Sequence, residues 1–445
     1  MKTLILITLL LMFITEGQFS MAQTEIDPSQ LPKKISSSDS LPVLNESADL
    51  NAFLTYAAIN NPDLKAAYYR WTAAMEKISQ ARSLPDPLFN YGYFIRSVET
   101  RVGPQRHRFE IRQTIPWFGK LKAQGTVAEQ EANALWENYE AVKLGLFYAV
   151  KKIYYELAYL NRALLVMNEN VQLLIYLENV LLSKYRSGIA PHSSLIKAQV
   201  ELDKLQDRLN SLKDLQKPVR AQMNSVLNRD TDAPIPEVQE IKLDTIRFTD
   251  AQLVDSLVRN NPQLKSSKFR MNLEKETIRL AKQNYIPDIS LGLEYIDIGE
   301  ALNPNIIDSG KDAFVAKVGI NLPIWFGRNK AAVSEAKARY ISAKEFQANQ
   351  RNELVGRLEV VLYQFREAKR KLNLYGGLLL PRAEQALNVT QSAFESGKVD
   401  FLDLIDSQRT YLEFELALER ARSDYMQRLA ELEMLTGKEI SKGGS

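Results

Sequence analysis

The sequence contains no cysteine and only two histidines, His107 and His192. The first absence excludes disulfides, thiolate zinc sites, iron–sulfur clusters, cysteine nucleophiles and acylation of a lipoprotein cysteine. The second removes most histidine-based catalysis and His-rich metal sites. No Gly-x-x-x-x-Gly-Lys-Ser/Thr or Gly-x-Gly-x-x-Gly frame occurs, and Ser36-Ser37-Ser38 lies in no Gly-x-Ser-x-Gly frame. Neither sign of charge dominates: 57 basic against 54 acidic side chains leave +3, which gives no bulk-charge argument for a nucleic-acid partner. These absences predict a chain that is not an enzyme, with no cofactor and no metal site. Long apolar runs are scarce as well. None after the N-terminal segment reaches the ~18 residues of a membrane helix, so any membrane crossing falls to strands.

What is present begins with an address. Lys2, an apolar run from Leu4 to Ile14 and the polar stretch ending Ser20-Met21-Ala22 predict a signal peptide over 1–22, cleaved before Gln23. Residues 23–44 follow as an extended, Ser- and Pro-rich segment. The remainder repeats itself. Asn60-Asn61-Pro62-Asp63-Leu64-Lys65 returns as Asn260-Asn261-Pro262-Gln263-Leu264-Lys265, and Pro85-Asp86 as Pro287-Asp288. Pro116-Trp117-Phe118-Gly119-Lys120 returns as Pro323-Ile324-Trp325-Phe326-Gly327-Arg328, and Ser187-Gly188 as Ser396-Gly397. Four matches in one order indicate duplication. The first repeat spans 45–229, an inter-repeat segment 230–248 and the second repeat 249–438, with a loose tail over 439–445.

Each repeat reads as helix, two alternating segments, a very long helix and a further helix. In the first long helix, about 120–187, Leu135, Tyr139, Val142, Leu146, Ala149 and Ile153 step by four and three. After an extra four-residue step to Leu157 the seam continues through Leu160, Leu164, Met167, Val171, Leu174, Glu178, Leu181 and Tyr185, as a coiled coil with one stutter requires. About 68 residues at ~1.5 Å each would form a rod of ~100 Å. The second long helix, about 328–395, carries Leu354, Leu358, Val361, Phe365, Ala368, Leu372, Tyr375 and Leu379 at the same spacing.

The alternating segments, about 87–99, 106–116, 288–299 and 312–323, have the ~9–11 residues of a tilted membrane strand. Phe89, Tyr91, Tyr93 and Ile95 share one face; Arg106, Arg108, Glu110 and Arg112 share another. One apolar and one charged face suit the wall of a water-filled barrel. Two ordinary hairpins on a soluble core have the same length. Trp117 and Trp325, at the strand-to-helix joints, sit where membrane-interface aromatics belong. Four strands close no barrel, because about eight is the smallest seen, so membrane strands here require several copies of the chain.

The signal peptide, the duplicated helix–strand–strand–long helix–helix plan and Pro-x-Trp-Phe-Gly together resemble the TolC-like outer-membrane efflux family, over about Leu44 to Lys438. The resemblance implies a mainly α fold with a long coiled-coil α-barrel in the periplasm and four strands per chain in a twelve-stranded outer-membrane β-barrel, made by a homotrimer. It implies an exit duct of a tripartite efflux system in the outer membrane, with a periplasmic adaptor (membrane fusion) protein and an inner-membrane pump of the RND type as partners. The strand loops near Thr100–Gln105 and Gly299–Lys311 would face outward. Counted from Gly397, Asp403 and Asp406 fall on the family's constriction aspartates, while Asp400 and its neighbours also suit a helix N-terminus. The first repeat has Ser194 and Lys197 there instead. Tyr185, Gly188, Phe394 and Gly397 resemble the adaptor-docking tips, and both glycines also suit a plain helix stop. Drug efflux, heavy-metal efflux and type I protein secretion all fit such a duct, and a pore-free coiled-coil envelope scaffold is the rival from another class.

Overall fold

The computed structural model describes residues 44, 48–238, 241, 243, 248–303 and 305–440; the expected signal peptide and, of the expected tail, residues 441–445 lie outside them, while Ile440 is buried in the core rather than loose. In chain order the elements are α1 (Leu50–Asn60), α2 (Pro62–Arg82), β1 (Leu88–Thr100), β2 (Gly103–Ile115), α3 (Lys120–Arg186) and α4 (His192–Leu227). The second set is α5 (Asp250–Asn260), α6 (Pro262–Gln283), β3 (Ile289–Ile298), β4 (Ala313–Ile320), α7 (Phe326–Leu374), α8 (Leu380–Glu395) and α9 (Phe401–Thr436). Among the described residues no helix is long and apolar enough to cross a membrane.

The repeated Asn-Asn-Pro has a structural cause. Asn61 caps α2, its side-chain oxygen accepting from the N–H groups of Asp63 and Leu64 at 3.0 and 3.1 Å, with Pro62 at the first helical position. Its amide donates to the Val226 carbonyl (3.0 Å) and so fastens the end of α4. Asn261 repeats the cap over α6 and donates to the Leu435 carbonyl (2.8 Å) at the end of α9. The fastened helices then stop in left-handed residues, Asn228 (φ 56°) and Gly437 (φ 67°). A Cβ on Gly437 would stand 2.7 Å from the Asn260 carbonyl oxygen, so this stop admits only glycine.

The 67-residue α3 is the spine. It packs against α2, α4, α6 and α9, and α7 packs against α6 and α9. Where the two repeats meet, Phe53, Val150, Leu160, Met223, Leu227, Leu257, Leu358 and Leu432 are fully buried in one core drawn from both. Toward the tip Leu174, Leu177, Leu181, Leu195, Phe394, Phe401 and Leu404 form a second core. Toward the strands α3 buries alanines instead (Ala123, Ala128, Ala132 and Ala134), which let helices approach closely. The predicted seam is buried at Leu157, Leu160, Met167, Val171, Leu174 and Leu181, but so are Ala163, Val166 and Leu177 beside it. A helix with partners on several sides buries more than one stripe.

The second long helix departs from the uninterrupted rod expected over 328–395. A π turn, Tyr375–Leu379, separates α7 from α8, and the Leu380 N–H reaches five residues back to the Tyr375 carbonyl. Pro381 is the cause: it has no N–H to give to Gly377 and its ring crowds that carbonyl. Gly376 and Gly377 supply the slack.

The four strands form one antiparallel sheet in the order β1-β2-β3-β4. The first hairpin turns at Arg101-Val102, tighter than the loop expected over Thr100–Gln105. Gly103 (φ +133°) makes this turn possible, and a Cβ there would collide with the Gly299 carbonyl.

Candidate functional site

The register sorts the sheet into two faces. Across β1, β2, β3 and β4, Tyr91, Phe109, Tyr295 and Phe314 stand opposite one another, and Phe89, Ile111, Leu293 and Ala316 form the next row. Ring centroids in the aromatic row are 5.2, 6.1 and 6.0 Å apart. Among the described residues no helix covers this face: Phe89 is 62% exposed, Ile95 91% and Val318 77%. A hairpin resting on a soluble core would have hidden these side chains. A contiguous exposed apolar sheet face marks an interaction with lipid or protein. His107, on the same face, accepts or donates a 3.0 Å hydrogen bond with the Tyr91 hydroxyl.

The opposite face holds a charge cluster. Glu110 and Glu294 pair directly in the register, an arrangement that is repulsive without cations between them. Arg112 donates to Glu110 at 2.7 Å, Lys317 reaches Glu294 at 2.6 Å and Glu110 at 3.5 Å, and Arg108 pairs with Glu294. Three cations against two carboxylates leave one net positive charge. The arginines are visible in the alternation; the glutamate pair depends on the β2–β3 register, which a single strand does not reveal.

The strand-to-helix joints carry an exposed aromatic belt of Trp117, Phe118, Trp325 and Phe326, at 37, 81, 70 and 66% exposure. At the first joint the Asp288 carboxylate accepts from the Trp117 N–H (3.0 Å) and from Lys120 Nζ (2.9 Å), tying repeat two to repeat one.

At the far end the two tip turns lie side by side. Gly188 (φ +72°) and Gly397 (φ +74°) end α3 and α8. Tyr185 is exposed and packs on His192 at 5.1 Å. Phe394 is 4% exposed, packed on Phe401, so it belongs to the tip core and not to the docking surface the sequence resemblance assigned to it. Lys184, which the sequence did not single out, joins the turns: Nζ donates to the Phe394 carbonyl (2.7 Å) and lies 4.1 Å from the centre of its ring. Asp400 is the N-cap of α9, accepting from the N–H groups of Leu402 and Asp403. Asp403 and Asp406 are exposed on one side of α9, opposite the buried Leu404 and Ile405, and neither carboxylate has a partner among the described residues. Lys197 is exposed in the first repeat. No cluster of His, Asp and Glu able to hold a metal occurs among the described residues.

A rod of paired helices topped by a sheet that is apolar on one side and ionic on the other is the architecture of the TolC-like outer-membrane channels. The chain belongs to the outer membrane efflux protein family, whose profile matches residues 54–229 and 253–438, one segment in each repeat. It is 22% identical to the outer membrane protein TolC of Vibrio cholerae over 399 residues, covering 85% of this chain and 88% of that one. It is also 22% identical to the toxin and drug export protein A of Aggregatibacter actinomycetemcomitans over 299 residues, 63% of this chain and 62% of that one, so it spans less than two thirds of that relative's length. The cobalt-zinc-cadmium resistance protein CzcC of Cupriavidus metallidurans is 26% identical over 159 residues, 36% of either chain. Among solved structures, the fold matches VceC of Vibrio cholerae with a TM-score of 0.71 at 18% identity, covering 90% of this chain and 99% of that one. It matches the CmeC outer membrane channel of Campylobacter jejuni with a TM-score of 0.72 at 15% identity, covering 89% and 87%. Members of this family are outer-membrane efflux channels, not enzymes.

Proposed function

We propose that this chain is the passive exit duct of a tripartite efflux system, working as a homotrimer in the outer membrane with a periplasmic adaptor and an inner-membrane pump of the RND type. The observation that carries the reading is the four-stranded sheet with open β1 and β4 edges, an exposed apolar face and an ionic face. Unpaired edges are not tolerated in lipid, so copies of the chain close the cylinder, the apolar side toward lipid and the Glu110–Glu294 side toward water. Trp117 and Trp325 then lie at the membrane interface, and the helices extend into the periplasm.

At the narrow end, Asp403 and Asp406 are one helical turn apart, and threefold symmetry makes them two carboxylate rings that attract cations and narrow the pore. Tyr185, Gly188 and Gly397, together with the exposed Ile189, supply the adaptor-docking surface. Cargo is a metal ion or a drug: one relative is named for cobalt-zinc-cadmium resistance and another for toxin and drug export. The same duct accommodates type I protein secretion. The exposed apolar sheet disfavours a pore-free scaffold.

Size-exclusion light scattering of the protein in detergent, followed by planar-bilayer recording, tests the reading. A trimer that conducts ions supports it; a detergent-independent monomer without conductance overturns it. Asp403→Asn with Asp406→Asn should raise conductance and weaken block by multivalent cations, as expected for removal of two charge rings. Unchanged block leaves these acids with only a helix-start role.

A further inference from the structure

The duplicated chain contains one complete joint between its repeats and the two unmatched halves of another. At the complete joint β2 pairs with β3, α3 packs on α6, and Asp288 grips Lys120, both side chains largely withdrawn from solvent at 16 and 17% exposure. The repeat counterparts of that ion pair are Asp86, which matches Asp288 across Pro85-Asp86 and Pro287-Asp288, and Arg328, which matches Lys120 behind the Trp-Phe-Gly. Both are exposed, and neither makes an ion pair or a hydrogen bond among the described residues. They lie beside the open sheet edges, Asp86 just before β1 and Arg328 just after β4.

The strand registers allow the transposition to be made residue by residue. β1 maps onto β3 with the Asp86-to-Asp288 offset of 202, and β2 onto β4 with the Pro116-to-Pro323 offset of 207. The observed hairpins agree: Leu88 opposite Arg112 in the first becomes Ser290 opposite Gly319 in the second. The same offsets carry the β2–β3 pairs Gln113–Leu291, Ile111–Leu293 and Phe109–Tyr295 onto Ile320–Phe89, Val318–Tyr91 and Ala316–Tyr93. Every new pair sets an aromatic ring against a smaller apolar side chain on the exposed apolar face, a favourable cross-strand combination.

We propose that a second copy of this chain docks on the open edge in this register, Val318 of one subunit opposite Tyr91 of the next, with Arg328 of the first and Asp86 of the second forming the inter-subunit ion pair. The proposal rests on the oligomeric duct reading and adds the register and the charge pair. In the second repeat Ile324 is inserted between Pro323 and Trp325 and the helix starts earlier, at Phe326. Arg328 is therefore the third helical residue where Lys120 is the first. The longer, forked guanidinium suits that displaced position and grips a carboxylate bidentately.

Because the chain lacks cysteine, engineered pairs report without background. The full-length protein carrying Val318→Cys with Tyr91→Cys, oxidised in detergent, should run as covalent dimers and trimers on non-reducing gels. Val318→Cys paired with Phe89→Cys or Tyr93→Cys, two residues out of register, should cross-link about tenfold less. Asp86→Arg or Arg328→Asp alone should lower the temperature at which the trimer dissociates, and the two together should restore it. A trimer that cross-links best in a slipped pair, or whose double reversal gives no rescue, overturns the proposal and leaves the duct standing. A monomer in detergent overturns both.

Discussion

The first long helix runs unbroken from Lys120 to Arg186, while its counterpart is divided by the π turn at Tyr375–Leu379 before reaching Glu395. The burial follows the break. In the second repeat the seam is buried from Leu354 through Ala368, only partly at Tyr375 and Leu379, and again at Ala383 and Leu387. The two repeats therefore share joints but not rods. Their ends are held alike, by Asn61 on Val226 and Asn261 on Leu435. Their tips differ in charge, Ser194 and Lys197 against Asp403 and Asp406. Duplication kept what fixes the helices to one another and let the exposed tip charges diverge.

The largest effect should come from the shared core. Phe53 and Leu253 occupy the same place in the two repeats, at 0 and 2% exposure. Phe53→Ala should cost about 3–5 kcal/mol and Leu253→Ala about 2–5 kcal/mol in urea unfolding followed by helix circular dichroism. If only one of them mattered, the core would belong to one repeat alone. The capping asparagines come next. Asn261 is 3% exposed and Asn61 only half-buried, so Asn261→Ala should cost about 2 kcal/mol and Asn61→Ala about 1 kcal/mol. Equal losses would mean that burial at the second joint adds nothing.

The smallest effect is electrostatic. Glu431 in the second repeat stands where the first has Gln222. Burial pushes its carboxyl up, but the hydrogen bonds from Arg357 and Arg428 outweigh this and hold it below the ordinary value of 4.5. A depressed folded value contributes stability above that pH and loses it as pH falls from 4.5 through the folded value. Glu431→Gln, which makes the second repeat match the first here, should flatten the acid limb of a stability–pH profile. An unchanged limb would place the acid sensitivity elsewhere.

Features with a short period were legible in the sequence. The heptad seam predicted the rod over Leu157 to Leu181, and strand alternation predicted that Phe89 and Tyr93 share a face with Tyr91. What escaped depends on partners brought from far along the chain. Glu110 and Glu294 become a pair only once β2 meets β3. Phe394 read as a surface tip residue because nothing local announces that Phe401 and Lys184 cover it. Asn61 and Asn261 were visible as repeats, yet their grip on carbonyls more than 160 residues away was not. Pro381 was a local signal and would have located the π turn.

Lys184 carries a consequence for motion of the two tip turns. Its ammonium binds a carbonyl of the other turn while resting on a buried ring. Drawing the two turns of a subunit apart must break a charged hydrogen bond worth about 1.5–3 kcal/mol and wet Phe394 as well. One lysine thus ties the two turns of the chain together, and parting them leaves its ammonium in need of another acceptor.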